Sequence, residues 1–266
     1  MIMMGWVLAG PMKNSTAGQQ YRTSGPDDAL TVPRELHFDG THSQLLAMPV
    51  PELVQLRGQP LGRHTQRALA QGATCSLFEK NHATAFDLEL FLELVATEAV
   101  AVDVVLLASR PQDIDGGLVI GINASAPATA AEPRTISLII AEETVLTFVL
   151  PPGKRSLSVR AIADRNVVEV FVGHGRGIYT SAVNISAVAA PGAFLTAHLP
   201  VTLMNSSAYE MGCCWKASQQ ARLKTTDDLA TLSDRKFDHA HTWWVVAKSG
   251  MIHDHCIRIE KECSAV

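Results

Sequence analysis

The sequence predicts an all-β protein whose centre is an antiparallel β-sandwich. In the stretch from Phe86 to Leu94, apolar residues alternate with polar ones, the period of a strand with one buried face. Similar short runs recur at intervals of about ten residues, separated by clusters of turn residues and with no helical pattern between them. Regular short strands without intervening helices favour a sandwich or barrel over alternating α/β units.

Seven further strands are predicted after the first. They cover Val100 to Leu107, Leu118 to Ile122, Thr135 to Ile140, Thr144 to Leu150, Leu157 to Ala163, Val167 to Val172 and Gly177 to Val183. The turns between them are rich in Gly, Pro, Asp and Asn, as at Asp164-Arg165-Asn166. Both faces of Val167 to Val172 are apolar apart from Glu169, which we expect to pair with a neighbouring strand.

Four segments are predicted along the chain. Residues 1–50 contain short strands, and residues 51–73 form a linker with a short helix at Pro51 to Arg57 followed by a polar surface connection, Gly58 to Gly72. Residues 74–215 form the sandwich. Residues 216–266 form a divergent tail in which 15 of 51 residues are charged.

Composition excludes two classes of function. A net charge of -4 offers no basic surface for nucleic acid, and no apolar run reaches the roughly 20 residues of a membrane helix. The apolar start, Met1 to Leu8, lacks the preceding Lys or Arg of a signal peptide and is interpreted as a strand. We therefore expect neither a nucleic-acid nor a membrane partner.

Metal and cofactor binding are not expected. His253-x-His255-Cys256 offers donors but has no second Cys pair at zinc-finger spacing, and Asp113 with Asp115 supplies too few oxygens for calcium. The five cysteines are too scattered for a disulfide framework, so their redox state stays open. Four Asn-x-Ser/Thr sequences are potential N-glycosylation sites, at Asn14, Asn123, Asn184 and Asn205.

Two residue strings resemble glycoside hydrolase family 32, the invertase, inulinase and levanase-like β-fructofuranosidases. The first comprises Met4-Gly5-Trp6, Pro33-Arg34-Glu35-Leu36 and Met48-Pro49-Val50, and resembles the stretch that closes the catalytic propeller and leads into the C-terminal domain. Ala47 departs from it, because the family usually carries Gln there. The second string, Asp164 to Val172 followed by Gly177 to Ser181, resembles a hairpin of the C-terminal β-sandwich.

The resemblance implies that residues 1–50 are a remnant of the last blade of a five-bladed β-propeller. It also implies an extracellular setting and a fructan or sucrose-type carbohydrate as ligand. Trp6 resembles the Trp that lines the fructose pocket of family enzymes, although a structural role is equally compatible with its position. Ile2, Trp6, Leu8 and the Leu30 to Leu36 strand are expected to have little to bury against, which predicts self-association or a partner chain.

The catalytic motifs that the resemblance would imply are not found in this sequence. It contains neither Asn-Asp-Pro nor Arg-Asp-Pro, and its one Glu-Cys, Glu262-Cys263, follows the sandwich. No catalytic residue is therefore assigned, and we expect the chain to be inactive alone as a hydrolase of O-glycosyl bonds. A lectin-like or partner-binding β-sandwich, or a fragment from an incomplete gene model, are the alternatives.

Overall fold

The computed structural model describes residues 1–4, the strand positions 6–7, 12–14, 20–22 and 29–30, and most of residues 31–212. Within that last range, residues 80–81, 96, 113–116, 130, 165–166, 184–187 and 189 are not described. The predicted tail therefore lies outside the described residues. No helix among the described residues is long and apolar enough to cross a membrane.

Nineteen strands and one short helix are present in the described residues. The strands before the helix are β1 (Ile2–Met3), β2 (Trp6–Val7), β3 (Met12–Asn14), β4 (Gln20–Arg22), β5 (Ala29–Leu30), β6 (Arg34–Asp39) and β7 (Gln44–Pro49). The 3₁₀ helix η1 spans Pro51–Leu56. The strands after it are β8 (Arg57–Leu69), β9 (Thr74–Ser76), β10 (Ala85–Glu93), β11 (Val100–Ala108), β12 (Leu118–Ala124), β13 (Arg134–Ile140), β14 (Glu143–Leu150), β15 (Ser156–Asp164), β16 (Val167–Val172), β17 (Gly177–Ala182), β18 (Gly192–Ala197) and β19 (Val201–Met211).

Two six-stranded antiparallel sheets form the sandwich. The first sheet has the order β17-β16-β15-β10-β19-β8, and the second has the order β14-β13-β12-β11-β18-β9. Their inner faces share one apolar cluster, to which β10 contributes Leu88 and Leu90 and β12 contributes Ile120 and Ile122, all fully buried. Burial of these aliphatic side chains on folding contributes about 1.5–3 kcal/mol each.

The predicted all-β sandwich is confirmed. Each of the eight predicted strands is present with ends within two residues of the prediction, and Val167–Val172 matches at both ends. Strands β18 and β19 extend the predicted set. In β19 the central run of Asn205, Ser206 and Ser207 is polar on both faces, and the pairing with β10 shifts register between Phe91 and Leu92, so the alternation that would mark a strand is interrupted.

The prediction that Gly58 to Gly72 forms a surface connection is wrong. Residues 57–69 form β8, which pairs with β19 along the edge of the first sheet. The stretch contains Gly58, Gly62 and Pro60, which are disfavoured inside strands but tolerated at an edge. Gly62 is required by packing, because a Cβ at that position would lie 2.2 Å from the carbonyl oxygen of Leu77.

The N-terminal strands are not left unpaired. Strands β1, β6 and β7 form a three-stranded antiparallel sheet, and the amide of Ala47 in β7 donates to the carbonyl of Gly175 at 3.1 Å. Part of this sheet is exposed, however, since the neighbouring side chains of Phe38 and Leu45 are 70% and 58% exposed and Ile2 is 67% exposed. Of the residues expected to form an apolar patch, Ile2 is exposed, and the side chains of Trp6, Leu8 and Leu30 lie outside the described residues. Phe38 and Leu45, which the sequence does not single out, supply the rest of the exposed apolar surface.

Gly175 fixes the point where β7 meets the sandwich. Its φ is +76°, and a Cβ there would lie 2.4 Å from the carbonyl oxygen of Ala47. Gly153 has a similar φ of +74°, but a Cβ at that position would have nothing within 4 Å. The two glycines thus share a positive φ and differ in how closely other atoms approach them.

We predict that Gly175→Ala destabilises the fold more than Gly153→Ala. Both substitutions place a side chain in the left-handed region, at a cost of about 1–2 kcal/mol. Only Gly175→Ala also pushes β7 away from the sandwich, so its loss of unfolding free energy in urea should be larger by about 1 kcal/mol or more. Equal losses for the two variants would show that β7 does not approach Gly175 closely.

Candidate functional site

Residues 31–57, called here the strap, cross the outer face of the first sheet and contact it through both apolar and ionic groups. An apolar cluster separate from the sandwich core joins Val50 and Leu53 of the strap to Ile162 and Phe171 of the sheet. Val32, Leu56, Ile178 and Met211 pack around it. The strap therefore buries the outward face of β15 and β16, which is why β16 is buried on both faces.

Arg34 and Glu169 form a buried ion pair at the centre of this contact. Their side chains are 10% and 2% exposed. One carboxylate oxygen of Glu169 accepts from the Arg34 guanidinium and the other accepts from the amide of Val32. The same guanidinium nitrogen of Arg34 donates to the hydroxyl of Thr180 at 3.0 Å, and the guanidinium lies 5.3 Å from the centre of the Phe171 ring. Both strap and sheet supply members of one polar cluster.

Glu169 forms its ion pair with the strap, not with a neighbouring strand as the sequence predicts. The sequence predicts a cross-strand partner, and the register does place Thr180 opposite Glu169. The charge partner is nevertheless Arg34, which lies 135 residues away in sequence. Burial raises the pKa of Glu169 above its ordinary value. The hydrogen bonds from Arg34 and Val32 and the positive charge of Arg34 lower the pKa, but they offset only part of the effect of burial.

A second ionic cluster lies where the strap enters β8. Asp87 is fully buried, and its carboxylate binds two arginines. Arg160 donates to it in bidentate fashion at 2.9 and 2.8 Å, and Arg57 donates at 2.7 Å. Arg57 also reaches the carboxylate of Glu89 at 2.8 Å. Two carboxylates and two guanidinium groups thus balance in charge on the outer face of β10 and β15.

The alternation in β10 places Asp87 on the solvent face of a half-buried strand, and the structure corrects this expectation. Asp87 does face outward, but Arg57 and Arg160 cover it. The Arg57 guanidinium also lies 4.9 Å from the centre of the Tyr209 ring. Burial alone would lower the pKa of Arg57, but the hydrogen bonds and charges of Asp87 and Glu89 raise it overall, so the group stays charged.

A third cluster holds the hairpin of β6 and β7. Arg176, in the turn before β17, donates to the carboxylate of Asp39 at 2.7 Å and to the side-chain oxygen of Gln44 at 2.9 Å. Asp39 also accepts from the His42 ring at 2.9 Å, and this bond, with further contributions from the His42 amide and from the charges of His42 and Arg176, holds the pKa of Asp39 below its usual value. Polar contacts therefore attach the strap to the sandwich at its hairpin as well as at Arg34 and Arg57.

The chemistry of these clusters is that of attachment. Glu169, Asp87 and Asp39 each face at least one guanidinium group, so they act as anchors. A retaining glycosidase requires two carboxyl groups about 5–5.5 Å apart on either side of a sugar, one of them able to carry a proton.

Among the described residues, no group of three or more His, Cys, Asp or Glu side chains is placed to hold a metal ion.

The residues singled out from the sequence do not meet in one site. Trp6 lies in β2, paired with Leu30, and Asn14 lies in β3. Asn123 and Asn205 are exposed in β12 and β19 of different sheets. Asn184 lies outside the described residues.

The remaining sequence candidates also lie outside the described part of the chain. They are the loop of Asp113 and Asp115, the His253 to Cys256 segment and the Glu262-Cys263 dipeptide. The sequence alone does not single out the arginines of the strap clusters. Arg34 does fall within the Pro33-Arg34-Glu35-Leu36 string, so this string marks the position of the central contact without revealing its partner.

The described residues form a two-layer antiparallel β-sandwich with an N-terminal strap. Residues 52–184, half of the chain, match the family described as the C-terminal domain of glycosyl hydrolases family 32. The chain therefore belongs to glycoside hydrolase family 32. Its sandwich is a module resembling those of glycosidases that hydrolyse fructans and sucrose.

Solved structures share this fold. Fructan 1-exohydrolase IIa from Cichorium intybus matches 79% of the chain at 17% identity with a TM-score of 0.59. Exo-inulinase from Aspergillus awamori matches 80% of it at 16% identity with a TM-score of 0.54. The chain spans 45% and 41% of these two proteins, less than half of either. No curated protein matches the sequence.

We predict that the Arg34–Glu169 pair is required for the stability of the fold. Glu169→Gln leaves a buried cation without a counter-charge and should lower the free energy of unfolding by about 3–5 kcal/mol. Glu35→Gln is the control, because the Glu35 side chain is 42% exposed and its ion pair is with the exposed His37. The control should change stability by less than about 0.5 kcal/mol.

A double-mutant cycle isolates the pair from the rest of the strap. Combining Arg34→Met with Glu169→Gln removes both charges, so the double variant should lose less than the sum of the two single losses. Urea unfolding followed by circular dichroism gives each value. Strict additivity would mean that the two groups do not interact.

Proposed function

We propose that this chain is the non-catalytic C-terminal module of an enzyme that hydrolyses fructan or sucrose, and that its strap holds the end of the catalytic domain against the sandwich. The buried Arg34–Glu169 pair carries this proposal, since it joins the two residue strings by which the chain resembles the family. Such an interaction fixes one orientation between the two segments, because either charge alone would be costly to bury.

The three-stranded sheet of β1, β6 and β7 fits the same proposal. We propose that it belongs to the last blade of a β-propeller, with Trp6 nearby on β2. Its inner side is bonded to the sandwich through Ala47 and Gln44, whereas Phe38 and Leu45 on β6 and β7 are exposed. Exposed neighbouring apolar residues of this size mark a surface that another structure covers.

The isolated chain should not hydrolyse sugars. Incubation with sucrose, inulin or 1-kestose should release no fructose above a buffer blank, because the buried carboxylates of the strap clusters are bound to arginines. An exo-inulinase assayed in parallel serves as the positive control. Release of fructose in proportion to the chain, copurifying with it through two chromatographic steps, would overturn the proposed inactivity.

The exposed patch on the three-stranded sheet predicts association of the isolated chain. Light scattering at increasing concentration should show a mass above that of one chain, 28.6 kDa. Phe38→Ser combined with Leu45→Ser should shift the mass towards the monomer. A wild-type chain that stays monomeric at high concentration would remove the self-association proposal.

A second candidate function is binding of a small carbohydrate. A cleft of about 440 Å³ opens between the ends of β10, β13 and β14 and the β14–β15 turn. Glu93, Glu132 and Arg155 line it with polar groups, and Pro151 and Pro152 form part of an apolar wall. Charged side chains beside an apolar wall suit a molecule that presents hydroxyl groups on one side and C–H groups on the other.

Calorimetric titration with 1-kestose tests this second function. An affinity for 1-kestose that falls at least fivefold in Glu132→Gln would support a site in this cleft. Glu143→Gln is the control, because Glu143 lies at the start of β14 and does not line the cleft, so this variant should keep the wild-type affinity. Absence of heat up to millimolar concentrations of the sugar would remove it.

A further inference from the structure

The strap leaves part of the outer face of the first sheet uncovered, and this part carries an unusual pair of residues. Phe91 on β10 lies directly opposite Asn205 on β19. Opposite residues on one face of an antiparallel pair have Cβ atoms about 4.5–5.5 Å apart. An amide that begins an Asn-x-Ser sequence is thus placed beside an aromatic ring.

The Phe91 ring is not part of an apolar cluster of the described chain. It faces outward with Asp87 and Glu89. It is only partly buried, and its second cross-strand neighbour is the polar Ser158. Exposed ring surface is unfavourable in water at about 25 cal/mol per Å² of apolar area.

Asn205 is accessible in the folded chain. It is exposed, and it makes no side-chain hydrogen bond among the described residues. Ser207, which supplies the hydroxyl of the acceptor sequence, is aligned with Glu89 and Arg63 on the same outer face. The intervening Ser206 points the other way and is buried. An attached sugar would leave the sheet pairing of β19 intact, because it would project from the face and not from the edge.

We propose that Asn205 carries an N-linked oligosaccharide whose first sugar packs its C–H face on the ring of Phe91. In the transfer reaction the Asn205 side-chain nitrogen attacks the anomeric carbon of a lipid-diphosphate-linked oligosaccharide. A carbon–nitrogen bond forms, the bond from that carbon to the diphosphate oxygen breaks with its electron pair leaving on the lipid diphosphate, and the amide proton passes to a base of the transferase. Transfer occurs before folding, so the folded sheet needs only to leave room.

The other described acceptor in the sandwich lacks such a partner. Asn123 is exposed, but its cross-strand neighbours are Ala101 and Ser137. In the folded chain the hydroxyl of Ser125, in the same acceptor sequence, accepts a hydrogen bond from the amide of Thr135 at 3.0 Å. A glycan at Asn123 would gain no aromatic contact, which makes this position the internal reference for the one at Asn205.

Secretion of the chain from a eukaryotic host, with a signal peptide added, tests occupancy. Digestion with a peptide N-glycosidase in heavy-oxygen water should mark Asn205 by mass spectrometry. Ser207→Ala should abolish the mark at Asn205, whereas Ser206→Ala, the same change one residue earlier, should retain it. An unmodified Asn205 in the secreted wild-type chain overturns the proposal.

A stability comparison tests the contact with Phe91. Removing the glycan from the wild-type chain should lower the thermal midpoint by about 2–4 °C, the shift that a contact of ordinary strength produces in a domain of this size. In Phe91→Val, which keeps a strand-forming residue, removal should change the midpoint by less than about 1 °C. If Phe91→Val does not fold, the midpoint change on glycan removal is compared between the wild type and Asn123→Gln. The loss should be the same in both, because it comes from the glycan at Asn205. A midpoint loss that comes from the Asn123 glycan, or one that persists unchanged in Phe91→Val, contradicts the role of the ring.

Discussion

The contact between Arg34 and Glu169 is the interaction on which the rest of the junction depends. Glu169 is buried on a strand that is apolar on both faces, so its charge is tolerated only because Arg34 and the Val32 amide reach it. Because both of these partners come from the strap, the sheet and the strap require one another. The apolar contacts of Leu53 and Val50 add burial, but they do not by themselves select one register for the strap.

The ionic clusters around Asp87 and Glu169 differ from surface salt bridges because their carboxylates are buried. Exposed ion pairs contribute little, typically about 0–1 kcal/mol. Here Asp87 and Glu169 are almost inaccessible, and each has two or more donors, so loss of one partner leaves a charge that water cannot reach. The clusters therefore act less as a source of net stability than as a constraint on which arrangement of strap and sandwich can form.

The sequence predicts the sandwich well and the junction poorly, for a physical reason. Alternation in β10 and the run in β16 that is apolar apart from Glu169 report burial directly, so the predicted ends of these strands lie within one residue of the observed ones. The same alternation shows that Asp87 faces outward, but it carries no information about whether that face is covered. The partner of Glu169 lies 135 residues away, and β8 resembles a loop in sequence because an edge strand tolerates Gly and Pro. The family resemblance identifies the two strings that meet, but only the fold shows that they meet through these side chains.

Hydrogen exchange of individual backbone amides tests most directly whether the strap is an integral part of the sandwich. The amides of Val32 and Ala47 donate to Glu169 and Gly175 across the junction. We expect them to exchange as slowly as amides within β16, since they should open only when the sandwich unfolds. Exchange at the rate of an unstructured peptide, while β16 stays protected, would contradict an integral strap.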